Sequence, residues 1–156
     1  VKVLFICTHN RCRSIIAEAV TNHLSAGRIT AKSAGIHPSG KVHPATIRYL
    51  NDAGMCTKHL TSQSWDEHEG WNPDIVITVC DSAHGEQCPV WFKKTLKIHW
   101  GLADPSKIEG SDKDIKRAFQ NTISILTSRI KKLLDEDVEN LSEHEKTLLL
   151  TKLGRQ

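Results

Sequence analysis

The opening stretch constrains this chain more than any other. Lys2 to Ile6 is an apolar, β-branched run of the kind that forms a buried strand, and Cys7 stands at its end. A short loop follows. From Ser14 to Leu24, the residues Ile15, Ala19, Val20 and Leu24 fall on roughly one face of a helix, with Gly27 placed to end it. Ile29 to Ser33 reads as a second strand, closed by Ala34-Gly35.

The alternation continues along the chain. "IHPSGKVHP" is loop-like, and Pro44 suits the first turn of a helix through Leu50 that ends near Gly54. Asp74 to Cys80 ("DIVITVC") is the strongest strand signal, and Lys94 to Trp100 ("KTLKIHW") a weaker one. Ser111 to Leu134 is a long amphipathic helix that buries Ile115, Ala118, Phe119, Ile123, Leu126, Ile130, Leu133 and Leu134. Ser142 and Glu145 make a capping-box pattern ahead of a short tail helix. Strands alternating with helices give an α/β class with a mostly parallel sheet. Ligands of such sheets bind beyond the carboxyl ends of the strands, where Cys7 and Cys80 both fall.

The 156 residues suit one domain, with no repeat, low-complexity block or linker. The 21 basic and 18 acidic residues leave a charge of +3, too balanced for a nucleic-acid binder. No apolar run is long enough to cross a bilayer, and no leader pattern precedes the first strand, so a cytoplasmic monomer is the expectation. The cysteines are Cys7, Cys12, Cys56, Cys80 and Cys88, an odd count that makes a poor disulfide framework. They are expected to be thiols that are buried, catalytic or metal-bound. No glycine-rich nucleotide fingerprint appears, so no nicotinamide or flavin is expected. The polar settings of His43, His59, His68 and His144 suggest surface positions, and the four tryptophans read as packing or rim residues.

Chemistry points to the loop Cys7, Thr8, His9, Asn10, Arg11, Cys12, Arg13, Ser14. Wrapped around an oxyanion, it would aim backbone N–H groups and a helix N-terminus inward. Arg13 would add a planar fork of donors. Asn10 suits a left-handed position in so tight a turn. The same positive field would favour a Cys7 thiolate. The Cys-to-Arg spacing alone is weak; its force comes from the strand before it and the helix after it.

"CTHNRCRS", followed by a helix containing "AEA", resembles the low-molecular-weight tyrosine phosphatase superfamily. "TVCDSAHGEQCP" and "HWGLADPS" are similar to its thioredoxin-coupled arsenate reductases, over roughly Lys2 to Leu134. The resemblance implies a four-stranded parallel sheet flanked by helices. A reductase domain over residues 1–135 is expected, with 136–156, for which the resemblance does not account, a helical extension of the same domain. The resemblance also implies that Cys7 attacks arsenate, with phosphate or sulfate as analogues, while Arg13 holds the oxyanion. Asp104, ahead of Pro105, would be the general acid. Cys80 would then attack Cys7 and release arsenite, and Cys88 would move the disulfide outward to thioredoxin. Three matched cysteines favour thioredoxin over a glutaredoxin system, and Cys56 has no matched role.

No tightly bound cofactor is implied. Some relatives bind potassium; Asn10, Glu18 and Ser33 match their ligands, but the expected Asp position is Gln63. Asp81 to Gln87, between Cys80 and Cys88, is one residue longer than the spacing usual in these reductases. Two rival readings use the same residues. A tyrosine phosphatase would employ Cys7, Arg13 and Asp104 through a phosphocysteine, although Ser106-Lys107 stand where such enzymes carry aromatics. A zinc or arsenite sensor would use Cys80, His84 and Cys88, with Cys7 or His99.

Overall fold

The computed structural model describes residues 1–80 and 95–156. Four strands form one sheet: β1 (Lys2–Cys7), β2 (Thr30–Gly35), β3 (Ile75–Thr78) and β4 (Leu96–His99). All neighbouring pairs are parallel, in the order β2-β1-β3-β4. β1 and β3 are central, and every residue of Val3–Cys7 and Ile75–Ile77 is buried. Central parallel strands are covered on both faces, which is why their sequences are continuous apolar runs. Four α-helices complete the described fold: α1 (Arg13–Ser25), α2 (Pro44–Asp52), α3 (Asp112–Leu134) and α4 (Glu143–Leu153).

The expected elements are present, with small shifts of boundary. The left-handed residue after α1 is Ala26, at φ 50°, with Gly27 following at φ 89°. Pro44 opens α2, where the His43 side chain accepts from the Ala45 amide. Ser111 and Asp114 form a capping box on α3, and Ser142 and Glu145 the expected one on α4. α3 buries Phe119, Ile123, Leu126, Ile130 and Leu133 and packs on α1, α2 and α4, while Ile115, Ala118 and Leu134 are only half-buried near its ends. A 3-10 helix at Trp65–Trp71, capped by Ser64 and Glu67, was not read from the sequence. It carries His68, which is buried rather than at the surface, its Nε2 3.1 Å from the Ser33 carbonyl oxygen.

The topology locates the site. From β1 the chain crosses through α1 to β2 on one side, then returns to β3 on the other side of β1. The direction of winding therefore reverses between β1 and β3. A crevice opens at such a switch point, beyond the carboxyl ends of the strands. Cys7 ends β1, and Cys80 lies two residues past β3.

Candidate active site

The segment Thr8–Cys12 is held from outside by its carbonyls. Ile36 N donates to Cys7 O (3.3 Å), His37 N to Thr8 O (2.8 Å), Ser39 N to His9 O (3.0 Å) and His43 N to Arg11 O (2.9 Å). In a trans peptide the N–H points opposite the C=O of the same unit. Anchoring these carbonyls outward turns the amides of Thr8, His9, Asn10 and Cys12 inward, toward the space over Cys7. The Thr8 amide reaches the Cys7 sulfur. α1 begins immediately afterwards, and its Cys12 cap makes no side-chain hydrogen bond to the first turn. Inward amides and a helix N-terminus form an anion-binding concavity.

Asn10 takes φ 47°, the left-handed conformation expected of it. It is fully buried and pinned: Nδ2 donates to Ser14 Oγ (2.8 Å) and Ser33 Oγ (3.0 Å), and Oδ1 accepts from Gln63 N (2.7 Å). Ser33 Oγ donates onward to Glu18 Oε1 (2.6 Å). Burial pushes the Glu18 carboxyl up to about 7 against the pull of Ser33 and Lys32. The three matched potassium positions thus come together as a closed hydrogen-bond relay. The Asn10 oxygen is taken by an amide, the Gln63 side chain turns to Thr61, and the Lys32 ammonium bears on the same carboxylate. This arrangement does not fit a resident potassium ion, which needs several oxygens facing one point.

Arg13 is the first residue of α1 and is mostly covered. Its Nη1 donates to the Leu102 carbonyl (3.0 Å), and Nη2 lies 3.6 Å from Asp104 Oδ2. Its buried Nε has no hydrogen-bond partner among the described residues, a donor suited to an oxyanion. Asp104 Oδ1 accepts from the Ser106 amide (2.9 Å) and hydroxyl (2.6 Å). Burial raises the Asp104 carboxyl, but Ser106, Arg13 and Lys107 outweigh it and hold the group below its ordinary value.

Cys7 and Cys80 are both buried neighbours, and Thr8 Oγ1 is 3.4 Å from the Cys80 sulfur. The surroundings of Cys7 pull its thiol in both directions. The Cys7 thiol is raised, first by its hydrogen bond to Cys80 and then by burial, while Arg13 and the Thr8 amide pull it down without prevailing. The two thiols titrate as a pair, and the second proton is the harder to lose because its departure would leave two buried anions side by side. Cys12 is buried below the loop, and burial pushes its thiol up to about 11. Cys56 is exposed and away from this cluster.

Cys88, His84 and the segment Asp81 to Gln87 lie outside the described residues. Cys7, Arg13, Cys80 and Asp104, with the whole loop, share one crevice. Sequence reasoning missed Gly35, the Leu102 carbonyl and Thr8 as a neighbour of Cys80. Gly35 had a signal, a glycine closing a strand beside the loop; a backbone carbonyl has none.

Comparison with known proteins identifies a family and a fold. Residues 2–146 match the family of low molecular weight phosphotyrosine protein phosphatases. An arsenate reductase of Bacillus licheniformis is 32% identical over 133 residues, 85% of this chain and 94% of the relative. An arsenate reductase solved in a phosphate-binding state superposes with a TM-score of 0.67 at 27% identity, over 86% of this chain and 96% of that one. A thioredoxin-dependent arsenate reductase of Corynebacterium glutamicum gives 0.65 at 29% identity, over 86% and 60%.

Proposed function

The chain belongs to the low molecular weight phosphotyrosine protein phosphatase family, and from that premise we propose that it reduces arsenate to arsenite with its own thiols. One observation carries this reading: a second buried thiol, Cys80, stands beside the nucleophile Cys7, its sulfur 3.4 Å from the hydroxyl of the adjoining Thr8. A phosphatase needs one sulfur and water. Reduction of arsenic from the +5 to the +3 state needs two electrons, which two thiols supply on becoming a disulfide.

The steps follow from the placement of the groups. Arsenate seats on the inward amides and Arg13, above Cys7. An anion there draws Arg13 away from Asp104 and repels its carboxylate, and both effects raise the affinity of Asp104 for a proton. The Cys7 sulfur attacks arsenic, and one arsenate oxygen leaves as water, taking up the Cys7 thiol proton and a second proton delivered through Asp104. The Cys80 sulfur then attacks the Cys7 sulfur. The electron pair of the S–As bond passes to arsenic, the departing arsenite takes up the Cys80 thiol proton, and a Cys7–Cys80 disulfide remains. Cys88 would carry the bond outward to Cys80–Cys88, and thioredoxin would reduce it. No step requires a metal or an organic cofactor.

Turnover of arsenate with thioredoxin, in parallel with hydrolysis of a phosphotyrosine mimic, tests the proposal. Thioredoxin oxidation that depends on arsenate and is lost in Cys7→Ser and Cys80→Ser supports it. Hydrolysis without arsenate reduction would replace it with the phosphatase reading.

A further inference from the structure

The family match ends at residue 146, and the turn and helix end beyond it meet Trp100. Trp100 directly follows β4 and is completely buried, its ring 6.3 Å from that of Phe5 in β1. Its indole N–H donates to the Leu150 carbonyl in α4 (2.8 Å). Arg129 of α3 lies over the indole, 5.6 Å from the ring centre, and its Nη2 donates to the carbonyls of Gly154 (3.1 Å) and Gln156 (3.2 Å). Gly154 has ordinary helical angles, so its lack of a side chain serves close approach. A Cβ there would stand 2.6 Å from Trp100 Cδ1 and 3.1 Å from the His99 carbonyl.

The far side of Trp100 leads directly to the chemistry. Two residues on, the Leu102 amide donates to Val79 O (3.1 Å), and its carbonyl receives Arg13 (3.0 Å). Two residues further is Asp104, the other partner of Arg13. A short stretch of backbone therefore joins the indole, clamped from behind, to both groups that orient the guanidinium.

We propose that the C-terminal end of α4 is a positioning element for the oxyanion site, acting through Trp100 on the segment Gly101 to Asp104 that aims Arg13. This rests on Arg13 binding the oxyanion in the function proposed above. Trp100 touches neither substrate nor reacting sulfur; it is a positioning residue. A small displacement of a binding group weakens an oriented site far more than it weakens the fold.

The test is calorimetric titration of inorganic phosphate into the full chain. It compares wild type, Trp100→Phe, which keeps a ring but loses the N–H donor, and a chain lacking residues 154–156. Ile29→Ala, in the core at the opposite end of the sheet, is the control for lost stability. Phosphate affinity is expected to fall roughly tenfold in the first two variants, and arsenate KM to rise with it. Ile29→Ala is expected to lower Tm with affinity unchanged. Wild-type affinity in both altered chains, or an equal loss in Ile29→Ala at equal Tm, overturns the proposal. Wild type that binds no phosphate overturns it together with the oxyanion loop. Wild type that binds phosphate but makes no arsenite defeats the reductase reading alone, and the affinities still decide this inference.

Discussion

At the scale of single residues, charge at this site is set by neighbours that are distant in sequence. Cys7 and Arg13 were legible because strand, loop and helix are contiguous. The upward pull on the Cys7 thiol was not, because Cys80 comes from beyond the end of another strand. Asp104 is held ionised by Ser106, two residues on, and by the distant Arg13 until an anion arrives. Asp104→Asn is expected to lower kcat for arsenate by about a hundredfold or more, while phosphate binding stays within a few-fold of wild type. Steady-state kinetics with a phosphate titration checks both. Glu18 gives a pH test of stability. Its carboxyl sits at about 7 in the folded protein against an ordinary 4.5, so it stabilises the fold fully below 4.5, and that contribution is lost as pH rises through about 7. The unfolding free energy of the wild type, from urea titration, should fall between pH 5 and pH 8 by on the order of 2–3 kcal/mol. Glu18→Gln should flatten that dependence; an equal fall in both proteins would contradict it.

Among the elements, strands and helices were readable because each repeats its own period over many residues. The 3-10 helix at Trp65–Trp71 was not, being short and polar, and the burial of His68 went unread with it. Gly35 shows how one element shapes another. It ends β2 where a Cβ would lie 2.9 Å from the Thr8 carbonyl oxygen and 3.0 Å from the Asn10 amide nitrogen. Gly35→Ala must push the loop, and a loss of about 1–3 kcal/mol of stability together with weaker phosphate binding is expected. Gly27→Ala is the contrast, since nothing lies within 4 Å of a Cβ there and only its positive φ is strained. It should lose about 1 kcal/mol and bind phosphate normally. Denaturant unfolding and phosphate titration on the two variants separate local strain from loop displacement.

Across the whole molecule, the reversal of winding between β1 and β3 brings two sulfurs from separate strands into one crevice. The parallel α/β class was legible from the alternation of elements. The grip of α4 on Trp100 was not, because it is made through a backbone carbonyl and a glycine that leave no pattern in the sequence. The account stands on the two sulfurs acting as one two-electron donor. The most direct measurement is a single turnover without thioredoxin: fully reduced protein is mixed with arsenate, quenched, and assayed for arsenite, lost thiols and disulfide position. One arsenite per chain with two thiols lost is expected, the bond lying at Cys80–Cys88 in the wild type and held at Cys7–Cys80 in Cys88→Ser. Arsenite formed with the Cys80 thiol intact in the wild type, or with both Cys7 and Cys80 thiols intact in Cys88→Ser, or no arsenite from protein that binds the anion, would contradict it.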